Sequence, residues 1–173
     1  MSVLMSSTQA ALSNVSPSVR SLLSLIESPK DRLILIKACT ELIDQEVQAR
    51  GGLSGLAIKG AYHILKKIKP SMMQDTLDHL LDGFIAQLDP FYARFQTECT
   101  QYQSFASMLV TEKQQVAQAL LKNTDEKAEH ATQMTLKTAY LKLRPSAAQQ
   151  VETSVPALAA LIQQHIDQFF NHS

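Results

Sequence analysis

Residues Pro29–Pro70 read PKDRLILIKACTELIDQEVQARGGLSGLAIKGAYHILKKIKP, and their apolar positions recur with a helical period. Ser28 precedes the run as an N-cap, with Pro29 at the first helical position and Asp31 two residues on, a capping-box arrangement. Leu33 to Ile36, Ala38, Cys39, Leu42, Ile43 and Val47 cover most of the surface of this helix, which predicts a central element. Gly51-Gly52 ends it, because glycine takes the left-handed conformation without a Cβ penalty. The next helix carries its stripe on Leu53, Leu56, Ala57, Gly60, Ala61, Ile64, Leu65 and Ile68, and Pro70 stops it. The small residues Ala57, Gly60 and Ala61 predict a close helix neighbour.

The same period extends in both directions, and no alternating strand pattern interrupts it. A short helix is expected from Pro17 to about Glu27, and a fourth from Ser71 to Leu88. Asp89-Pro90 reads as a cap and first turn, opening an aromatic-rich fifth helix. Thr111 is expected to cap a helix through Leu121, with breaks at Asn123-Thr124 and at Pro145 and a kink at Ser154-Val155-Pro156. The expected fold is all-α: one antiparallel domain of about seven or eight helices in packed hairpins, spanning residues 17–173. Residues 1–16, rich in Ser, Thr, Asn and Gln, are expected to form a partly disordered lead-in.

Composition narrows the function classes. The chain has 173 residues, 45% of them hydrophobic, enough for a real core. Sixteen basic residues balance sixteen acidic ones, which argues against a dedicated nucleic-acid binder. Cys39 and Cys99 have no CxxC spacing and fit a reducing compartment. Cys39, spaced with Ile36 and Ile43, is expected buried and reduced. No apolar run is long enough to span a bilayer, and the N-terminus lacks a signal-peptide pattern, so the expected location is cytoplasmic.

An internal echo is visible. Lys59-Gly60-Ala61-Tyr62, Pro70-Ser71 and Leu88-Asp89-Pro90-Phe91-Tyr92 answer to Lys137-Thr138-Ala139-Tyr140, Pro145-Ser146 and Ile166-Asp167-Gln168-Phe169-Phe170. A duplicated hairpin explains it. In a helix-rich chain so short a match also arises by coincidence, which on the sequence alone is the better-supported reading.

Glu41-Leu42-Ile43-Asp44, then Gly51-Gly52-Leu53-Ser54-Gly55 through Lys59 to Ala61-Tyr62, the Leu88-Asp89-Pro90-Phe91 corner and Val151–Pro156 occur in a characteristic order. Together they resemble a small uncharacterised bacterial family, a domain of unknown function notable in actinobacteria. The similarity runs from about Pro29 to Gln168. The resemblance implies an all-helical domain and no established chemistry.

Candidate sites follow from residue type and spacing. At the glycine turn, Gly51 and Gly52 close one helix and open the next, whose free N–H groups attract anions. Ser54 adds a hydroxyl and Lys59 a charge to this candidate anion or ligand site; the default use of such glycines is a tight helix corner. Asp75, Asp78, His79 and Asp82 share a helix face with metal-ligand spacing, but one helix rarely makes a metal site, and the same face suits solvent. The lysines Lys59, Lys66, Lys67 and Lys69 are expected to pair with that acidic face across a hairpin. Met72, Met73, Phe91, Tyr92, Phe95, Tyr102 and Phe105 could line an apolar pocket, although such a stripe is more often core. No HExxH, GxxxxGK[ST] or GxGxxG motif occurs. The expectation is a non-catalytic binding or protein-interaction module of the bacterial cytosol. It would have no cofactor and no metal, and would act on a protein partner or a second copy. The alternatives are an enzyme assembled from distant helices and a helix-turn-helix-like nucleic-acid binder.

Overall fold

Ser28 has extended backbone (φ −80°, ψ 131°), and Pro29 follows it as the first residue of α1 (Pro29–Ala49). A proline there costs nothing, since its missing N–H would have had no helical partner. The expected side-chain cap bond from Ser28 is absent; the turn closes instead through Arg32 N and the Ser28 carbonyl at 2.9 Å. Arg50 then returns to extended backbone, and Gly52, at φ +75°, opens α2 (Gly52–Ile68). The other helices are α3 (Met72–Glu98), α4 (Phe105–Thr111), α5 (Lys113–Glu129) and α6 (Met134–Asn171). This computed structural model describes residues 19–68, 71–98, 101–130, 132 and 134–171. The expected lead-in at 1–16 and Cys99 lie outside them. Among the described residues the fold is all-α, with no strand.

Six α-helices replace the expected seven or eight because prolines expected to break the chain do not. Pro90 lies inside α3, and Pro145 and Pro156 lie inside α6. All three are exposed, so the carbonyls their rings release sit on the solvent side, where water can satisfy them. The opposite face of each helix is held by core residues, Leu81, Ile85 and Leu88 in α3 and Val155, Ala159 and Ile162 in α6. Packing therefore overrides the local signal. Asn123 likewise sits inside α5, buried, and Thr111 ends α4 rather than capping the next helix. The first helix shrinks to a 3-10 turn, Leu22–Ile26. Asp89, expected to cap a fifth helix, accepts the Leu22 amide at 2.6 Å and the Ser21 hydroxyl at 3.0 Å, and so caps that turn from α3.

The two halves of the chain follow one pattern. Ser21, Leu22, Ser24, Leu25 and Ile26 correspond in spacing to Ser104, Phe105, Ser107, Met108 and Leu109; the apolar members of both sets are buried, and both leading serines cap. Leu35 and Ile36 correspond to Val116 and Ala117, and Leu77, Leu81 and Leu88 to Val155, Ala159 and Ile166, all buried. Tyr92 and its counterpart Phe170 stack on each other, 6.4 Å between centroids. The echo therefore includes core positions as well as surface ones. In the second half, the equivalents of α2 and α3 run on as the single helix α6.

One core from both halves fills the centre, with Leu22, Phe105, Met108, Leu109 and Ala159 fully buried. Two expectations on packing change. Leu33 and Ile34 are exposed, so α1 is apolar-faced toward α3 and α6 rather than enclosed all round. Gly60 is exposed, with open space where a Cβ would stand, so no helix makes a close approach there. The close approach occurs at Gly83 instead: a Cβ on it would lie 2.0 Å from Asn123 Oδ1 on α5. Asn123 donates to the Leu80 carbonyl at 3.3 Å and is 4% exposed.

Candidate functional site

The described residues of the glycine turn, Gly51, Gly52 and Lys59, are spread along the start of α2. Gly51 and Gly52 are exposed, and Lys59 is half-buried seven residues into α2, about 10 Å farther along its axis. The Ser54 side chain lies outside the described residues. The local geometry is that of a packed corner: a Cβ on Gly55 would lie 2.8 Å from the Arg50 carbonyl oxygen. Arg50, just before the turn, is the residue that reaches a cavity.

The charged clusters are engaged within the fold. Arg32 of α1 forks onto the acidic face of α3, with Nε 2.6 Å from Asp78 Oδ1 and Nη2 2.8 Å from Asp82 Oδ2. Lysines of α2 were expected on that face; at Asp78 and Asp82 the cation is Arg32 of α1, while Lys69 lies outside the described residues. Lys66 turns to Asp44 of α1 at 2.8 Å, where the Tyr62 hydroxyl also donates. The second half repeats the device: Tyr140 and Arg144 both bind Asp125, with Arg144 Nε at 2.6 Å. Each Asp–Tyr–cation cluster ties a helix to the next one. No group of His, Cys, Asp and Glu suited to a metal occurs among the described residues.

These clusters make stability pH-dependent at both ends. Lys66 holds Asp44 below the usual carboxylate range, with Tyr62 adding to it; Arg32 does so for Asp82 and Arg144 for Asp125. A depressed folded pKa contributes stability above the unfolded value of about 3.9, which is lost as pH falls through the folded value. Burial, reinforced by the aspartates, pushes Tyr62 and Tyr140 up to about 12. A raised folded pKa contributes stability that is full below the unfolded value of about 10 and lost as pH rises toward 12. Urea midpoints should therefore fall below pH 4 and above pH 10, and an Asp44→Asn, Asp125→Asn double variant should flatten the acid limb. An unchanged acid limb would contradict the assignment.

The apolar aromatic group is core. Tyr92 and Phe105 are buried, Met73, Phe91, Phe95 and Tyr102 pack against the core, and the Met72 side chain lies outside the described residues. None of those described lines the apolar cavity of about 330 Å³ that opens between α1, α3, α5 and α6. Its walls are Leu35, Cys39, Leu81, Leu121, Leu158, Ile162 and further apolar side chains; Glu46, Arg50, Thr124, Gln150 and Ser154 supply its polar atoms. The volume falls in the range of small-molecule pockets, about 300–1,000 Å³. Cys39 is half-buried rather than buried, because it faces this space; desolvation pushes its thiol up to about 11, so it stays protonated at neutral pH.

Polar atoms enter the cavity wall from the C-terminal end of α1, from α5 and from α6. At its polar end Ser154 Oγ donates to Glu46 Oε2 at 2.8 Å and accepts from Arg50 Nη2 at 3.3 Å. Gln150, one turn earlier on α6, has its Oε1 buried without a hydrogen-bond partner. Sequence reasoning missed Gln150 and Ser154, since neither stands in a motif; the one hint was Val151–Pro156 within the resemblance.

No curated protein and no solved structure matches the chain. No helix among the described residues is long and apolar enough to cross a membrane. The family model of DUF6918, a family of unknown function, matches residues 22–166, which takes in both halves and every wall of the cavity. The chain belongs to this family.

Proposed function

We propose that the protein is a non-catalytic binding module of the bacterial cytosol whose ligand is a small apolar molecule held between α1, α3, α5 and α6. The observation that carries this is the cavity itself: about 330 Å³ of space walled by leucine and isoleucine from four helices, with polar atoms confined to a few side chains. Protein interiors are otherwise close-packed, and an apolar void of this size forfeits dispersion contacts that an apolar guest restores. Water is a poor occupant of the apolar part because it finds too few partners there. Burial holds the Cys39 thiol protonated at neutral pH, which suits a wall residue rather than a thiolate nucleophile.

The test is fluorescence titration with 1-methylnaphthalene, a hydrocarbon probe without hydrogen-bonding groups. One saturable site is expected in the native protein. Cys39→Phe, which narrows the space, should weaken binding at that site while the helical circular-dichroism signal and melting temperature are kept. Equal binding by this variant, or none by the native protein, would refute the proposal.

A further inference from the structure

One edge of the cavity is fastened by a single hydroxyl. Glu46 lies in the last turn of α1, Arg50 is the C-cap of that helix, and Ser154 meets both from α6. Ser154 Oγ donates to Glu46 Oε2 at 2.8 Å and accepts from Arg50 Nη2 at 3.3 Å. Among the described residues, the hydrogen bonds that join α1 and its cap to α6 all pass through this oxygen. The hydroxyl has one proton to donate. A second acceptor stands beside it, the Gln150 carbonyl of its own helix, 3.2 Å away. The proton can therefore fasten α6 to α1 or turn back into α6. When it turns back, Glu46 and Arg50, about one turn apart, are left to pair with each other. α2, which follows the corner, packs on α1 and α3 but not on α6, so it adds no second tie. The same edge meets solvent: Glu46, Arg50 and Ser154 are half-buried, and charged side chains keep contact with water. Farther along both helices the walls are Leu35 and Ile162, which are buried.

We infer that the Glu46–Ser154–Arg50 clasp is the gate of the cavity: the ligand enters and leaves where the C-terminal end of α1 parts from α6, and Ser154 holds that edge shut. This rests on the cavity being the binding site, and adds how the site is reached. A clasp closed both before and after binding stabilises the free and the bound protein alike, and raises only the barrier between them. Loosening it therefore speeds association and dissociation by the same factor and leaves affinity unchanged. A side chain that acts by touching the ligand behaves differently. Removing it destabilises the bound state alone, and shows chiefly as faster dissociation. The two rate constants thus separate a gate from a contact.

Stopped-flow fluorescence with 1-methylnaphthalene reads both rate constants. Native association should lie well below the diffusional ceiling of about 10⁸–10⁹ M⁻¹s⁻¹. Ser154→Ala should raise association and dissociation about tenfold each, the effect of one hydrogen bond to a charged group, with Kd unchanged within about twofold. Asp125→Asn, which loosens a polar tie of Tyr140 and Arg144 to α5 instead, should leave both rates at their native values. Native association at the diffusional ceiling would overturn the inference. So would unchanged rates in Ser154→Ala, faster dissociation alone with a matching loss of affinity, or equal acceleration in Asp125→Asn. In each of those cases the probe still binds and the cavity stands as a site. If the native protein binds no 1-methylnaphthalene, the site itself fails, and the gate with it.

Discussion

Gly83→Ala is expected to destabilise the fold by about 2–4 kcal/mol, far more than an alanine inside a helix normally would. Helix propensity alone favours alanine over glycine by ~1 kcal/mol. The crossing of α3 and α5 reverses the sign: the added Cβ would lie 2.0 Å from Asn123 Oδ1, 2.5 Å from its Cγ and 2.7 Å from its Nδ2. Asn123 is short, 4% exposed and bonded to the Leu80 carbonyl, so it has no free rotamer to retreat into. Either the helices separate, or the amide swings away and leaves a buried polar group unpaired, at ~1–3 kcal/mol. The three nearest atoms all belong to Asn123, which makes the effect separable. In an Asn123→Ala background, Gly83→Ala should cost less than ~1 kcal/mol, a coupling readable from urea midpoints in a double-mutant cycle. Additive costs would mean that the crossing is not closed by this pair.

Phe105→Ala is expected to cost about 3–5 kcal/mol, a large share of the stability of a domain this size. Phe105 is completely buried at the start of α4, with its ring edge-on to Tyr92 at 5.0 Å and tilted against Phe95 at 5.7 Å. Removing it leaves a void between the halves of the chain. Its counterpart Leu22 is also fully buried, and Leu22→Ala should cost about 2–5 kcal/mol. Calorimetric unfolding should show one transition in each variant. Separate unfolding of the two halves would contradict the shared core.

Helical character was legible in the sequence because the apolar period is strong over long runs, and the Gly51-Gly52 corner was legible because a left-handed residue leaves few choices. The internal breaks were misread for one reason. Pro90, Pro145 and Pro156 are local signals, whereas the continuity of α3 and α6 depends on what the opposite helix face touches. Asn123 misled in the same way: a turn-former by type, it is a buried partner for Gly83, and only the α3–α5 crossing reveals that. The repeat was half-visible. Its surface matches, such as Lys59 to Tyr62 against Lys137 to Tyr140, are weak, while its strongest members are buried leucines that differ in type from their counterparts. The cavity was not legible at all. Its walls come from α1, α3, α5 and α6, and its polar residues, Glu46, Arg50, Thr124, Gln150 and Ser154, are far apart in the chain with no motif between them. The glycine turn drew attention to the right corner but to exposed residues; the side chain that reaches inward is Arg50.

A crystal structure of the native protein under xenon pressure tests the binding cavity most directly, since xenon enters apolar space without needing a hydrogen bond. Xenon density is expected between Leu81, Leu121 and Ile162. A native structure in which these side chains meet and no xenon lies among them would contradict the existence of the site.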